Sequence, residues 1–382
     1  MIRCTRCLMP DTRPRIVFTD GVCNACSYHE GKKEIDWNAR KAEFIDLVAH
    51  HKGRKLRDSG SSHDCIVPFS GGKDSATIAW KLKFEHGLNP LLVCYGQLLW
   101  TDVGRRNFDR VCAAGFDILY WRVDQRVSRK LARRFLVERG HPKQHYDAGV
   151  NAVPVRTAIQ FNIPLIFYAE HGETEYGGLV LSEDHRRTRD LTEVLENQIG
   201  DDPRNWAADG LSEKGLYPYI YPSRDDIECV GVKALYFSYF FPWDIHENAR
   251  FARERMGFEQ AENGSLHLIK EDGMIWSSCC PVDLPEWWGK SDGSFEGFDS
   301  IDDKIDDLDF YMMHVKFGFG RATRMASRLI QGGHMTCEQG MELVERYDGE
   351  FPQTHLNNVL DYLDMTREEL DEVIEKHRNP TL

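Results

Sequence analysis

Three hundred and eighty-two residues, 41% hydrophobic and 29% charged, read as a globular chain of about two domains and exclude collagenous, low-complexity and wholly disordered classes. Subtracting 61 Asp and Glu from 48 Lys and Arg leaves −13, which disfavours nucleic acid as a partner because phosphate binding needs clustered cations. The longest apolar stretch, Val232 to Trp243, is shorter than the ~20 residues of a membrane span, and Met1-Ile2-Arg3-Cys4 has no apolar leader, so a cytoplasmic protein is expected.

In chain order, residues 1–30 hold four of the eleven cysteines, lack a helical period and read as a small irregular module. Asp36 is placed to cap a helix over 37–51 with Phe44, Leu47 and Val48 on one face, inside a linker assigned to 31–60. A polar joint, Asp58 to Ser62, precedes the next unit. From 61 to 250 strands and helices alternate. Strands are predicted at Cys65–Phe69, Leu91–Tyr95, Ile118–Trp121 and Leu165–Ala169. Helices are predicted at Ala76–His86, Arg105–Ala114, Gln125–Arg139 and Val153–Phe161. That alternation predicts a doubly wound α/β fold with a parallel sheet. Residues 182–230 read as an insertion or lid, and Val232–Phe241 as an aromatic strand. The region 251–382 is expected to be mostly helical, with capping boxes at Thr336 and Thr366.

The Gly-rich turn Ser70-Gly71-Gly72-Lys73-Asp74-Ser75 lies between a buried strand and a helix. Its glycines let backbone N–H groups face an anion, and the following helix points its positive dipole end at the same place. Ser70 and Ser75 add hydroxyls and Lys73 a charge. Asp74 between Lys and Ser departs from the Walker A pattern, yet the setting is that of a phosphate site.

Cys4, Cys7, Cys23 and Cys26 form two Cys-x-x-Cys pairs, the spacing of a closed tetrahedral Zn²⁺ site with a structural role. A four-cysteine iron–sulfur cluster satisfies the same spacing. Cys65, Cys94, Cys112 and Cys337 read as ordinary core or helix thiols, and the adjacent Cys279 and Cys280 receive no role.

The turn resembles the pyrophosphate loop of the PP-loop ATP pyrophosphatase superfamily, whose members cleave ATP between the α- and β-phosphates. The resemblance implies that Ser70, Gly71, Gly72, Asp74 and Ser75 hold the pyrophosphate end of ATP, beside the charge of Lys73, with Tyr95 and Gln97 at the strand end that borders the adenine. Along nearly its whole length the chain is similar to the N-acetyl sugar amidotransferases of bacterial surface-polysaccharide (O-antigen and nonulosonic acid) synthesis. The similarity rests on residues 9–14, 21–26, 35–37, the loop, 104–107 and 163–166. It continues through Glu170, 175–178, 241–244, 316–321 and 333–340, where Cys337 stands in place of a more usual Arg.

That resemblance implies adenylation of an acetamido group, attack by ammonia and formation of an acetamidino group. ATP is the cofactor so implied; Glu170 at the end of a strand and Glu175 on the turn after it are placed as Mg²⁺ and substrate ligands, and with Asp74 and Lys73 they are the candidate catalytic residues. Tyr176, Lys316 and Arg321 are expected to face substrate, and Asp102 is a weaker carboxylate candidate. Asp302, Asp303, Asp306 and Asp307 read instead as a solvated helix entry. No glutaminase residues are evident, so a separate glutaminase supplying ammonia is implied, together with a cyclase-like companion. Nine Trp and 20 Phe leave apolar surface for a homodimer. The alternative within the superfamily is a tRNA thiolation enzyme, which the −13 charge and the absence of a later Cys-x-x-Cys pair disfavour.

Overall fold

The structure, a computed structural model, describes residues 1–52, 61–180, 182–189, 194–207, 210–260 and 298–381. Most of the Asp58–Ser62 joint, the Cys279–Cys280 pair and parts of 182–230 therefore lie outside the described residues.

Five parallel strands form the centre: β1 (Cys65–Pro68), β2 (Pro90–Tyr95), β3 (Asp117–Trp121), β4 (Leu165–Tyr168) and β5 (Lys233–Tyr236). Their order is β3-β2-β1-β4-β5, so the winding reverses between β1 and β4. Strand residues alternate between two apolar layers. Cys65, Val67, Leu92, Cys94, Leu165 and Phe167 face one layer. Ile66, Leu91, Val93, Ile166 and Tyr168 face the other. Both faces are covered by helices, which is why these strands read as near-continuous apolar runs. The fold is the expected α/β one with a parallel sheet.

The principal helices are α1 (Asn24–Gly31), α2 (Trp37–His51), α3 (Lys73–Trp80), α4 (Asp102–Ala113), α5 (Gln125–Arg139), α6 (Gln144–Gln160) and α7 (Ile245–Met256). After the undescribed 261–297 come α8 (Asp306–Phe317), α9 (Arg321–Gln331), α10 (Cys337–Tyr347), α11 (Leu356–Leu363) and α12 (Arg367–His377). Asp36 caps α2 as expected, accepting from Asn38 and Ala39 N–H at 3.0 Å. Both predicted capping boxes form, at Thr336 and Thr366.

Two elements differ from expectation. α6 begins nine residues before Val153 and carries Pro154 in its interior. It is buried around most of its circumference, so it has no polar face to supply an amphipathic period. The aromatic stretch 232–241 divides into β5 and a helical turn, Phe237–Phe240. β5 stops where its partner β4 stops, with Tyr168 opposite Tyr236, and the chain then coils to pack Phe237 and Phe240 around the Phe44 ring.

The segment entering α8 returns over the carboxyl end of β2. Asp303 accepts from Leu98 and Leu99 N–H at 2.8 and 3.0 Å, and Lys304 N–H donates to Leu99 O at 2.7 Å. The reading of Asp302, Asp303, Asp306 and Asp307 as solvated is thereby corrected: all four are buried. Lys143 pairs with Asp306, and Arg321 with Asp307 at 3.2 Å. Burial raises the carboxyls of Asp302 to about 6 and Asp306 to about 8.

Candidate active site and metal cluster

The carboxyl ends of β1 and β4 meet where the strand order reverses, the place at which open α/β sheets bind ligands. The turn 70–75 leaves β1 there. Gly71 has φ +100°, a conformation that L side chains rarely adopt, so the backbone there calls for glycine. Ser70 Oγ accepts from Gly72 N–H, and Ser75 Oγ donates to Gly72 O, each at 3.2 Å. Gly72 caps α3, whose N-terminus opens toward a cavity of about 260 Å³. The walls are the whole turn, Gly104 and Asn107 of α4, Glu170 after β4, and residues 298–302.

A second cavity of about 360 Å³ shares Ser70, Ala169 and Glu170 with the first. It is lined by Tyr95, Tyr146 and Tyr168, with Asn151, Pro154 and Arg189 opposite. Tyr95 and Tyr146 meet edge to face at 5.3 Å, and the Arg189 guanidinium lies 4.4 Å from the Tyr168 ring. One chamber is walled by the Gly-rich turn and charged side chains; its neighbour is aromatic. Larger cavities, about 400 and 520 Å³, lie elsewhere and contain none of the turn.

The charges around the turn form a chain. Lys73 is 2% exposed, and its Nζ reaches Asp74 at 2.7 Å and Asp299 at 3.0 Å. Asp299 also pairs with Arg328, whose guanidinium covers the Tyr176 ring at 4.6 Å. Burial opposes both charges, yet Asp299 and Asp74 hold the Lys73 ammonium above its usual range, and Arg328 and Lys73 hold the Asp299 carboxyl well below its own. Asp74 Oδ1 accepts from Asn248 Nδ2 at 3.0 Å, which ties the turn to α7. Glu170 accepts from the Tyr176 hydroxyl. Burial, then the nearby Asp74 charge, raise the Glu170 carboxyl to about 7.

The structure thus brings Ser70, Gly71, Gly72, Lys73, Asp74, Ser75 and Glu170 to one cavity and Tyr95 to its neighbour. Gln97 stands behind the turn, donating to Ser70 O at 3.0 Å and to Asp302. Tyr176 borders the site through Glu170 and Arg328.

Other candidates are engaged elsewhere. Glu175 is buried against the N-terminal segment, with Lys32 at 2.7 Å and His29 at 3.2 Å. Burial notwithstanding, Lys32 and His29 hold its carboxyl below the usual value. Lys316 donates to Arg139 O at 2.6 Å, away from the turn. Arg321 holds Asp307 and donates to Ser300 O at 3.1 Å, so it supports a cavity wall from behind. Asp102 is exposed in the first turn of α4.

Sequence reading missed Asp299, Arg328 and Asn248, each more than 170 residues from the turn. One signal was present. Arg321, Arg324 and Arg328 recur at i, i+3 and i+7 on α9, a single basic face in an acidic chain. Arg324 and Arg13 add to that cluster. Burial, followed by neighbouring arginines, lowers both guanidinia, that of Arg13 to about 10.

At the other end of the chain Cys4, Cys7, Cys23 and Cys26 form a buried cluster with all four sulfurs within 4.8 Å. Cys4–Cys26 is 3.9 Å and Cys7–Cys23 is 3.5 Å. Four sulfurs at ~2.3 Å from Zn²⁺ sit ~3.8 Å apart, so the donor set fits. The thiols share their protons: bonding with Cys23 draws Cys4 below the usual thiol range and pushes Cys7 and Cys26 above it. Backbone N–H groups of Arg6 and Cys23 point at Cys4 Sγ, as thiolate ligands require. The module is seated on α9 and α10, with Gln331 at Cys26 and Cys337 Sγ donating to Arg6 O at 3.1 Å. It also grips the turn after β4, through Arg15 to Glu173 and Arg13 to Gly177 O.

Among the described residues no helix is long and apolar enough to cross a membrane. Residues 292–382 match the family model described as LPS biosynthesis protein WbpG-like, C-terminal domain. That match supports a family of surface-polysaccharide biosynthesis and gives no support to tRNA thiolation. No curated protein matches the chain.

Proposed function

Taking lipopolysaccharide biosynthesis as the setting, we propose that the chain is an ATP-dependent amidotransferase of the PP-loop type acting on an N-acetylated, nucleotide-linked sugar. The observation that carries this reading is the Ser-Gly-Gly-Lys-Asp-Ser turn at the strand-order reversal, opening beside a tyrosine-lined chamber. A polyphosphate suits the first chamber and an adenine the second.

An acetamido carbon is a poor electrophile with a poor leaving group. In the proposed reaction its oxygen attacks the α-phosphorus of ATP, pyrophosphate departs, and an O-adenyl imidate forms. Ammonia then adds to the imidate carbon, AMP leaves with the former amide oxygen, and the acetamidino group remains. The turn's N–H groups and the N-terminus of α3 hold the departing pyrophosphate. Asp74 and Glu170 face one cavity closely enough for Asp74 to raise the Glu170 carboxyl, a pair suited to Mg²⁺, which supplies charge neutralisation at the phosphates. Lys73, released from Asp299 when an anion arrives, adds positive charge.

Zn²⁺ on the four cysteines keeps the N-terminal module folded against α9 and the turn after β4. Ammonia comes from a separate glutaminase, and the reduced cysteine cluster suits the cytoplasm. The test is to incubate the protein with ATP, ammonium and a panel of acetamido nucleotide-sugars, then separate the nucleotides. AMP with pyrophosphate, dependent on the sugar, is expected; ADP as the main product would refute adenylation.

A further inference from the structure

Distinct from both sets of residues, the N-terminus of α7 and the turn after α9 bring Asp244, His246 and His334 together, and we propose that these three residues bind a second divalent metal ion of the zinc class. One ligand atom from each lies within 4.8 Å of the others. His334 Nε2 is 2.7 Å from Asp244 Oδ2, and the His246 and His334 rings are 4.6 Å apart.

An ordinary His–Asp pair accounts for His334 and Asp244 but leaves His246 unexplained. His246 is 2% exposed, and neither ring nitrogen has a hydrogen-bond partner among the described residues. The nearest carboxylate, on Glu247, is 3.7 Å from Nδ1, too far for a hydrogen bond. A buried imidazole with both nitrogens unmatched is costly unless something other than the described residues satisfies it. Two imidazoles and one carboxylate are a borderline donor set that suits Zn²⁺.

The surroundings are built for this. Asp244 Oδ1 accepts from His246 and Glu247 N–H at 2.9 and 3.0 Å, fixing the carboxylate while Oδ2 faces the histidines. A side chain at position 332 would lie 2.7 Å from the His334 ring and 2.8 Å from Asp244 Oδ2, and Gly332 leaves that space open. Asp244 and His334 remain partly exposed, so an ion can enter and one coordination position stays open. An ion there would cross-link α7 to the α9–α10 turn. Asn248, two residues beyond His246, holds Asp74 of the Gly-rich turn, so the ion would brace that contact.

The test compares the full-length protein with Asp244→Asn and His334→Gln variants after zinc loading and removal of free ion. Asn at 244 keeps an oxygen for the helix cap. Each variant is expected to carry one zinc fewer per chain than its parent, or to hold that ion at least about tenfold more weakly. Equal counts and affinities in parent and variants would overturn the proposal, whatever the cysteine cluster holds. A variant-free check uses Co²⁺ on the parent protein. Uptake of a further equivalent after the thiolate charge-transfer band has saturated is expected, and no uptake beyond that band would also overturn it.

Discussion

The cysteine cluster and the cavity beside the Gly-rich turn both gather several ionisable groups into little space, but they balance charge in opposite ways. The four sulfurs are buried against one another and could hold a metal ion, whose charge would balance their thiolates. In the cavity Lys73, Asp74, Asp299 and Arg328 already neutralise one another. The first site should therefore depend on its ion to fold. The second should fold alone and exchange partners when an anionic ligand arrives.

The sharpest break of that contrast is Cys23→Ser. Structural zinc contributes ~10–16 kcal/mol in small peptides, so losing one ligand is expected to release the ion and open residues 1–30 to protease. Full zinc content with unchanged cleavage would contradict a structural role.

Next comes Asp299→Asn, which removes the carboxylate between Lys73 and Arg328. Breaking a buried ion pair costs ~3–5 kcal/mol, and urea unfolding should register a loss toward the lower end because Asp74 still faces Lys73. ATP or pyrophosphate should restore part of that stability in the variant. No restoration would show that Lys73 and Arg328 do not meet a ligand.

Glu170→Gln tests the cavity by pH. The folded carboxyl, at about 7, titrates well above its unfolded value, so its contribution is complete below that unfolded value and is lost as pH rises through 7. Parent stability should fall relative to the Gln variant between pH 5 and 8. The expected size is up to ~3 kcal/mol, an upper limit because the side chain keeps a partly exposed face. Parallel curves for the two proteins would contradict the shift.

The smallest effect is expected from Glu175→Gln. It weakens the contacts with Lys32 and His29 by ~1–2 kcal/mol in thermal or urea unfolding and leaves turnover near the parental rate. A variant that folds normally but loses turnover would return Glu175 to catalysis.

These contrasts also explain what could be read from residues alone. The turn 70–75 is contiguous, and so are the two Cys-x-x-Cys pairs and the caps at Asp36, Thr336 and Thr366; each carries its geometry within a few residues. The sheet was legible because its strands are apolar runs separated by helices. α6 was legible only in part, since burial on most sides erases the polar face that marks a helix. Asp299, Arg328 and Asn248 reach the turn only after the chain has wound back over the sheet, and the basic face of α9 is the one local pattern that hints at that return. Lys316 and Glu175 sit beside promising motifs, yet tertiary packing turned one to Arg139 O and the other to Lys32. Asp302 and Asp303 looked solvated because four acids near a helix start usually are. The backbone N–H groups of Leu98 and Leu99, which accommodate Asp303, come from 205 and 204 residues earlier in the chain.

The proposed adenylation of an amide oxygen in the cavity beside the turn leaves an isotopic trace. It is tested most directly with an acetamido nucleotide-sugar carrying oxygen-18 in its acetyl carbonyl, incubated with ATP, ammonium and the protein. The label is expected in the phosphate of AMP and not in pyrophosphate, while the sugar gains an acetamidino nitrogen. Unlabelled AMP, or ADP with orthophosphate, would contradict it.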